Sequence, residues 1–121
     1  MSVITSEGLV GYVDQVFAET ARVRLLTDPT IRVSVINNRN REIGVLAGQL
    51  NNPLEINYIN LNSDVQDGDV FLTSGASFRY QRGLPVARVT RVQVRNNDYY
   101  KQVKAEPLAD FSQLDIVFCV R

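Results

Sequence analysis

The amino-acid sequence predicts an all-β protein made of two small, directly packed β-barrel modules. Three observations support this fold class: short alternations of apolar and polar residues recur, turn residues separate them at intervals of about 8 to 12 residues, and one strand-turn-strand unit occurs twice. Outside residues 110–114 no segment has a convincing helical period. No linker rich in Gly, Ser or Pro divides the chain, so we expect the modules to pack directly.

The repeated unit is a short strand, a turn, a Gly-Leu step and a second strand. In the first copy residues 3–6 precede residues 8–16, and in the second copy residues 71–74 precede residues 83–92. Such a repeat in a short chain indicates two related β modules and argues against one enzyme core built around one cleft.

In the first half, residues 21–25 and 31–35 both alternate apolar and polar side chains and predict half-buried strands. Asp28 and Pro29 supply the turn between them, so we expect this pair to form a hairpin. A polar tip then leads into the strand at residues 43–48, whose glycines predict a bulge or a close backbone approach.

In the second half, turn residues again separate short apolar segments. Asn96 to Asp98 form the predicted tip of a hairpin, and Asp110 caps a single helical turn. The predicted elements are strands at residues 54–58, 70–74, 83–95, 99–105 and 115–120, and a helical turn at residues 110–114.

The composition argues against catalysis. The chain has no histidine, the side chain used most often for proton transfer near neutral pH. Ser74 and Ser77 lack both the nucleophile-elbow pattern and an activating base. The lone Cys119 lies in an apolar run without a visible basic partner, which predicts a small buried hydrophobe. We therefore expect no catalytic residue and no cofactor.

The acidic side chains Asp64, Asp67 and Asp69 raise the possibility of a calcium loop. That loop needs oxygen ligands at alternate positions before its glycine and a glutamate at its end, and this segment lacks both. Turn chemistry ahead of a strand explains these residues better, so we predict no metal site.

Charge is balanced overall, with 13 basic and 13 acidic residues, but it is unevenly distributed. Residues 79–104 interleave seven cations with aromatic rings, which suits single-stranded nucleic acid on an OB-like barrel, a protein interface, or a plain solvated face. The neutral total charge weakens the nucleic-acid alternative. The residues that we predict to form a protein interface are Phe78, Arg79, Tyr80, Arg82, Tyr99 and Tyr100.

An ordered set of short motifs suggests a family. The motifs are Gly-Leu-Val-Gly-Tyr-Val at residues 8–13, Val-Arg-Leu-Leu-Thr-Asp-Pro at 23–29, Gly-Asp-Val-Phe-Leu-Thr-Ser-Gly at 68–75 and Gly-Leu-Pro-Val at 83–86. In this order and spacing the chain, from about Val3 onward, resembles the extracytoplasmic β region of the rod-shape-determining protein MreC.

This resemblance implies a fold and a cellular role. The fold would be a pair of small β-barrels resembling the chymotrypsin-like double barrel, which we divide into a first module at residues 1–66, expected to be incomplete in this sequence, and a second module at residues 67–121. The role would be that of a non-enzymatic scaffold that maintains rod cell shape during peptidoglycan synthesis and cell-wall elongation.

The resemblance also implies partners and a location. The partners would be the elongation-specific penicillin-binding transpeptidase, an MreD-type membrane protein and further copies of the chain, with no nucleic acid. The location would be the periplasm, on the outer side of the bacterial inner membrane, with membrane contact only through an N-terminal anchor outside this sequence.

Overall fold

The structure, a computed structural model, describes residues 1–50, 53–76, 79–95, 98–113 and 117–120. The described residues form strands and one short 3-10 helix, so the predicted all-β class is confirmed. Within them, no helix has the length and apolarity needed to cross a bilayer. The strands are β1 (Ser2–Ile4), β2 (Leu9–Val16), β3 (Ala21–Leu25), β4 (Arg32–Asn37), β5 (Ile43–Ala47), β6 (Leu54–Asn60), β7 (Val70–Thr73), β8 (Pro85–Gln93), β9 (Tyr100–Pro107) and β10 (Phe118–Val120), and the helix is Phe111–Gln113.

The strands form two sheets. Six of them close into a barrel in the order β4-β5-β6-β9-β8-β7, and the others form a four-stranded sheet in the order β10-β1-β2-β3. Every pairing is antiparallel. Closure matters for function because a closed barrel has no unpaired strand edge for another chain to join.

The barrel takes strands from both predicted modules. Strands β4 to β6 lie before residue 66 and β7 to β9 lie after it, yet β4 pairs with β7 and β6 pairs with β9. The four-stranded sheet joins the two ends of the chain, because β10 pairs with β1. Each sheet is therefore formed by pairing between strands that are distant in sequence. The division into two modules at residue 66 instead follows the order of the repeat along the chain.

The predicted hairpin between residues 21–25 and 31–35 is wrong. Strand β3 pairs with β2, whereas β4 pairs with β5 and β7 in the other sheet. The turn itself is present, since the Thr30 amide donates to Asp28 Oδ1 at 2.8 Å and the Asp28 amide donates to the Leu25 carbonyl at 2.9 Å. Leu26, which is completely buried, begins the connection between β3 in one sheet and β4 in the other. Local turn chemistry specifies the bend but not the partner of the next strand.

The two copies of the repeat have similar local structures, with the pairing offset by one residue relative to the Gly-Leu step. Strand β1 pairs with β2 and β7 pairs with β8, and each pairing shifts register two residues before the repeated threonine. Thr5 Oγ1 accepts the Gly8 amide at 3.3 Å, and Thr73 Oγ1 accepts the Leu84 amide at 2.8 Å. Threonine is therefore kept in both copies because its hydroxyl closes the turn ahead of the second strand.

The main core fills the barrel and continues beneath the four-stranded sheet. The sheet and barrel approach closely at Gly8, where an added Cβ would lie 3.0 Å from the Pro85 carbonyl oxygen and 3.1 Å from Leu108 Cβ. The largest fully buried side chains are Phe71, Leu9, Leu26, Leu46, Leu54, Ile56, Ile59, Val3, Val10, Val33, Val35 and Val86.

The end of the chain combines a confirmed prediction with a wrong one. The predicted helical turn is the 3-10 helix, and Asp110 Oδ1 accepts the Ser112 amide at 3.0 Å as a cap. Cys119, predicted to be buried, is exposed. It lies on β10, which in the described part of the chain pairs with β1 alone, and the neighbouring Phe118 is 57% exposed. An apolar run does not distinguish an edge strand from a central one.

Candidate functional site

The residues predicted to form one interface lie on both sides of β8. They are Phe78, Arg79, Tyr80, Arg82, Tyr99 and Tyr100. The first four precede β8 and the two last follow it, and Phe78 lies outside the described residues. A nine-residue strand spans roughly 30 Å. Among the described residues, the structure therefore separates Arg79, Tyr80 and Arg82 from Tyr99 and Tyr100.

Arg79 and Tyr80, before β8, are part of the contact between sheet and barrel. Arg82, in the same stretch, is exposed. Tyr80 is only 5% exposed, and its ring packs edge-on against Tyr12 with centroids 5.9 Å apart. The Arg79 guanidinium carbon lies 4.7 Å from the centre of the Tyr12 ring, and Ser2 Oγ donates to the Arg79 carbonyl at 3.0 Å. Burial raises the pKa of the Tyr80 phenol above its usual range. Tyr80 thus packs inside the protein and presents no ring to a partner.

The tyrosines after β8 do face solvent, and a third tyrosine joins them. Tyr99 is 87% exposed, Tyr100 is 47% exposed and Tyr58, from β6, is 61% exposed. The Tyr58 and Tyr100 rings meet edge-to-face at 5.5 Å between centroids. We call Tyr58, Tyr99 and Tyr100 the tyrosine patch. These are aromatic side chains that the core leaves uncovered, so the patch is the main candidate for binding.

Sequence reasoning missed Tyr58 because simple alternation through residues 54–58 places it on the same face as the buried Leu54 and Ile56. The structure inserts a bulge. Strand β6 pairs Ile56 with Val103 and then Ile59 with Lys101, so one extra residue lies on the β6 side. Ile59 consequently takes the next buried position, with no exposed surface, and Tyr58 turns outward.

The bulge holds Tyr58 in an unfavourable backbone conformation. Its φ angle is 68°, in the left-handed region that bulky side chains avoid. Such a residue costs on the order of 1–3 kcal/mol, and Tyr58 recovers little of that by burial because 61% of its surface is exposed. Strain of this kind concentrates at binding sites, which supports a functional role for this ring.

A groove of about 460 Å³ lies beside the tyrosine patch on the outer face of β6 and β9. Its cations already have partners: Lys104 Nζ forms an ion pair with Glu55, and Lys101 Nζ donates to the Ser63 carbonyl at 2.6 Å. The groups left open in the groove are therefore aromatic and neutral polar side chains, together with Asp98, whose Oδ2 has no hydrogen-bond partner among the described residues. Its lining residues are Glu55, Asn57, Tyr58, Asp98, Tyr99, Tyr100, Lys101, Gln102, Val103 and Lys104.

Asp64 and Asp69, two of the aspartates considered for calcium, form ion pairs within the fold. Asp69 is 8% exposed and accepts hydrogen bonds from Arg39 Nη2, Asn37 Nδ2 and the Gln66 amide, each at 2.9 Å. The Arg39 guanidinium, aided by these donors, lowers the pKa of Asp69 to about 2. Arg39 Nη1 also contacts Asp64 at 3.0 Å. Within the described ranges no group of three or more His, Cys, Asp or Glu side chains is placed to hold a metal ion.

The fold and the groove define a β-barrel protein in which a closed six-stranded barrel packs against a second sheet and exposes an aromatic surface. Its complete length, residues 1–121, matches the family model described as rod shape-determining protein MreC, barrel core. The chain belongs to the MreC family.

The relatives support this assignment in sequence and in structure. The cell shape-determining protein MreC of Haemophilus influenzae is 37% identical over 117 residues, which cover 95% of this chain and 33% of the relative. The crystal structure of MreC from Pseudomonas aeruginosa is 34% identical with a TM-score of 0.88, and the match covers 93% of this chain and 73% of that one. The chain thus spans about a third of the curated relative's length.

A third comparison concerns the fold. A Helicobacter pylori structure, described as a complex between penicillin-binding protein PBP2 and MreC, matches with a TM-score of 0.77 at 18% identity and covers 96% of this chain and 73% of that one. At this identity the likeness shows the shared fold.

Proposed function

We propose that this chain is part of a non-enzymatic scaffold of the cell-elongation complex and binds an elongation-specific penicillin-binding transpeptidase through the tyrosine patch. Membership of a family of cell shape-determining proteins supports the role. The relative solved with PBP2 supports the choice of partner. The exposed, strained Tyr58 beside Tyr100 is the observation that carries the choice of surface.

Tyrosine is among the side chains that contribute most to protein interfaces, because it brings a large apolar ring and a hydroxyl at a small entropic cost. Tyr99, at 87% exposure, leaves almost its complete ring available to a partner. Of the residues predicted from the sequence, Tyr99 and Tyr100 remain in the proposed surface, Tyr58 is added, and Tyr80 is removed because it is buried.

The wider assembly is proposed on the resemblance to the family. The scaffold would lie in the periplasm, held at the inner membrane by an N-terminal anchor, where it would also meet an MreD-type membrane protein and further copies of itself. The opposite charges of residues 42–69 and 79–104 support head-to-tail self-association, which added salt should weaken.

The nucleic-acid alternative receives no support from the family match. The charge is balanced at 13 residues of each sign, and both lysines of the predicted basic segment are engaged by Glu55 and the Ser63 carbonyl. We propose that the chain has no enzymatic turnover, since it lacks histidine.

Calorimetric titration of the chain with the periplasmic part of the elongation transpeptidase tests the proposal. Replacing Tyr58, Tyr99 and Tyr100 together by alanine should weaken binding by about tenfold or more. Phe17→Ala is the matched control, because Phe17 is also an exposed aromatic, at 51%, but lies between β2 and β3. Equal affinity of all variants would contradict the proposed surface, and binding of a single-stranded oligonucleotide in its place would contradict the scaffold role.

A further inference from the structure

We infer that the groove beside the tyrosine patch receives a segment of the partner in the polyproline II conformation. The inference rests on the proposed function for the location of the surface, and it names the chemistry of the segment that would bind there. Five features of the groove lead to it: the closed barrel, the arrangement of the rings, the hydrogen-bonding groups, the charges and the strain at Tyr58.

The closed barrel excludes recognition by strand addition. Strand β6 pairs with β5 and β9, and β9 pairs with β6 and β8, so both strands beneath the groove have partners on each side. An extended peptide cannot join the sheet here through its backbone. The ligand must therefore be recognised by side chains that project from the outer face of the barrel.

The rings form a notch suited to a rigid apolar ligand. The Tyr58 and Tyr100 rings stand at 90° to each other, with centroids 5.5 Å apart, and Tyr99 follows directly in the chain. Shallow, aromatic-lined grooves on small β domains are the usual docking sites of polyproline II segments. Such a segment repeats every three residues, at about 3.1 Å per residue, so its proline rings recur along one face and can pack against the exposed faces of aromatic rings.

The hydrogen-bonding groups of the groove complement a segment that is rich in acceptors. The neutral donors among the lining side chains are the three tyrosine hydroxyls and the side-chain amides of Asn57 and Gln102. A polyproline II segment has no internal hydrogen bonds, and its prolines lack N–H groups, so it presents unpaired carbonyl oxygens. Donors in the groove would therefore meet acceptors on the ligand.

The charges of the groove argue against an anionic ligand. The lining contains two acidic residues, Glu55 and Asp98, and two basic residues, Lys101 and Lys104. Lys104 is held by Glu55, and Lys101 is held by the Ser63 carbonyl. An anionic segment would have to displace these contacts to find a cation, whereas a neutral segment leaves them intact.

The strain at Tyr58 supports a preformed site. The left-handed backbone at φ 68° directs the Tyr58 side chain to the outer face, where its ring packs edge-to-face against Tyr100. Polyproline II segments are likewise ordered before binding, so neither side loses much conformational freedom on association. A flexible polar segment would lose more.

The test is an NMR titration of the isotope-labelled chain with an oligoproline peptide, with a Gly-Ser peptide of equal length as the control ligand. We expect saturable shifts confined to β6, β9 and the tyrosine patch with oligoproline only. Tyr100→Ala and Tyr99→Ala should each weaken binding by about tenfold, while Phe17→Ala should leave it unchanged. No shifts, shifts of equal size with the Gly-Ser peptide, or saturation by a neutral chitooligosaccharide in place of oligoproline would overturn the inference.

Competition separates this inference from the proposed function. If the transpeptidase binds in a tyrosine-dependent way but oligoproline neither binds nor competes, the polyproline inference is wrong and the proposed function stands. If oligoproline binds at the patch but the transpeptidase is insensitive to the tyrosine variants, the proposed surface for the transpeptidase is wrong and the groove takes a polyproline II ligand from another source. Displacement of the transpeptidase by oligoproline supports both.

Discussion

Tyr58 and Tyr100 meet edge-to-face on the outside of the barrel, with ring centroids 5.5 Å apart and planes at 90°. They come from β6 and β9, and the bulge in β6 brings the Tyr58 ring out to this position. The pair therefore joins a residue with a left-handed backbone to the groove.

We expect the Tyr58→Gly variant to be more stable than the Tyr58→Ala variant. Both Tyr58→Gly and Tyr58→Ala remove the ring, but only glycine adopts φ 68° without strain, so Tyr58→Gly should have the larger free energy of unfolding by about 1 kcal/mol. Urea denaturation measures the difference. The same two substitutions at Tyr100, a β9 position, should give the opposite order, with glycine lower by about 0.5–1 kcal/mol. If the glycine variant is the less stable one at both positions, position 58 carries no backbone strain.

Acid should destabilise the protein through Asp69. Its pKa is about 2 in the folded chain and about 3.9 in an unfolded one, so its contribution is complete above about pH 4 and is lost as the pH falls towards 2. Asp69→Asn should lower the free energy of unfolding by about 1–2 kcal/mol near neutral pH, a range that allows for the partly exposed Arg39. Near pH 2 the variant and the original chain should be equally stable.

Denaturation curves at several pH values check this expectation, with Asp67→Asn as the control. Asp67 is an exposed neighbour in the same turn, and its substitution should change stability little at any pH. If Asp69→Asn and Asp67→Asn behave alike, the Arg39 contact does not stabilise the fold.

The stability of the fold should not depend on the hydroxyl of Tyr80, although it should depend on the ring. The hydroxyl oxygen is buried and has no hydrogen-bond partner within the described part of the chain. Tyr80→Phe should therefore be neutral or stabilising by up to about 1 kcal/mol, because it removes an unsatisfied polar group. Tyr80→Ala should cost about 3–5 kcal/mol through the cavity it leaves against Tyr12. Thermal and urea unfolding measure both, and a large loss in Tyr80→Phe would reveal a partner for the hydroxyl.

Gly8 should tolerate no side chain where the sheet meets the barrel. A Cβ there would lie 3.0 Å from the Pro85 carbonyl oxygen, and backbone on either side would have to move. Gly8→Ala should lower stability by about 1–3 kcal/mol, seen as a lower Tm. Glu7→Ala, at the exposed neighbouring position, serves as the control and should change Tm little. A Gly8→Ala variant as stable as the control would mean that the sheet and the barrel can separate without cost.

The candidate site could be predicted only in part. Tyr99 and Tyr100 follow a hairpin tip in the sequence, and exposure of such a tip is a local property. The exposure of Tyr58 could not be predicted, because its strand alternates regularly and no residue in 54–60 indicates a bulge. Tyr80 was assigned to the surface because its neighbours are charged, and its burial depends on Tyr12, which is distant in sequence.

The sequence by itself determined the all-β class, the turn at Asp28, the β8–β9 hairpin and the shared structure of the two repeats. Each of these depends on the alternation of side chains or on turn chemistry within a few residues. Only the tertiary structure decided that β3 and β4 belong to different sheets and that the barrel closes across residue 66. The physical reason is that strand pairing is chosen by burial and backbone hydrogen bonding between distant segments, and neither is encoded in the local period.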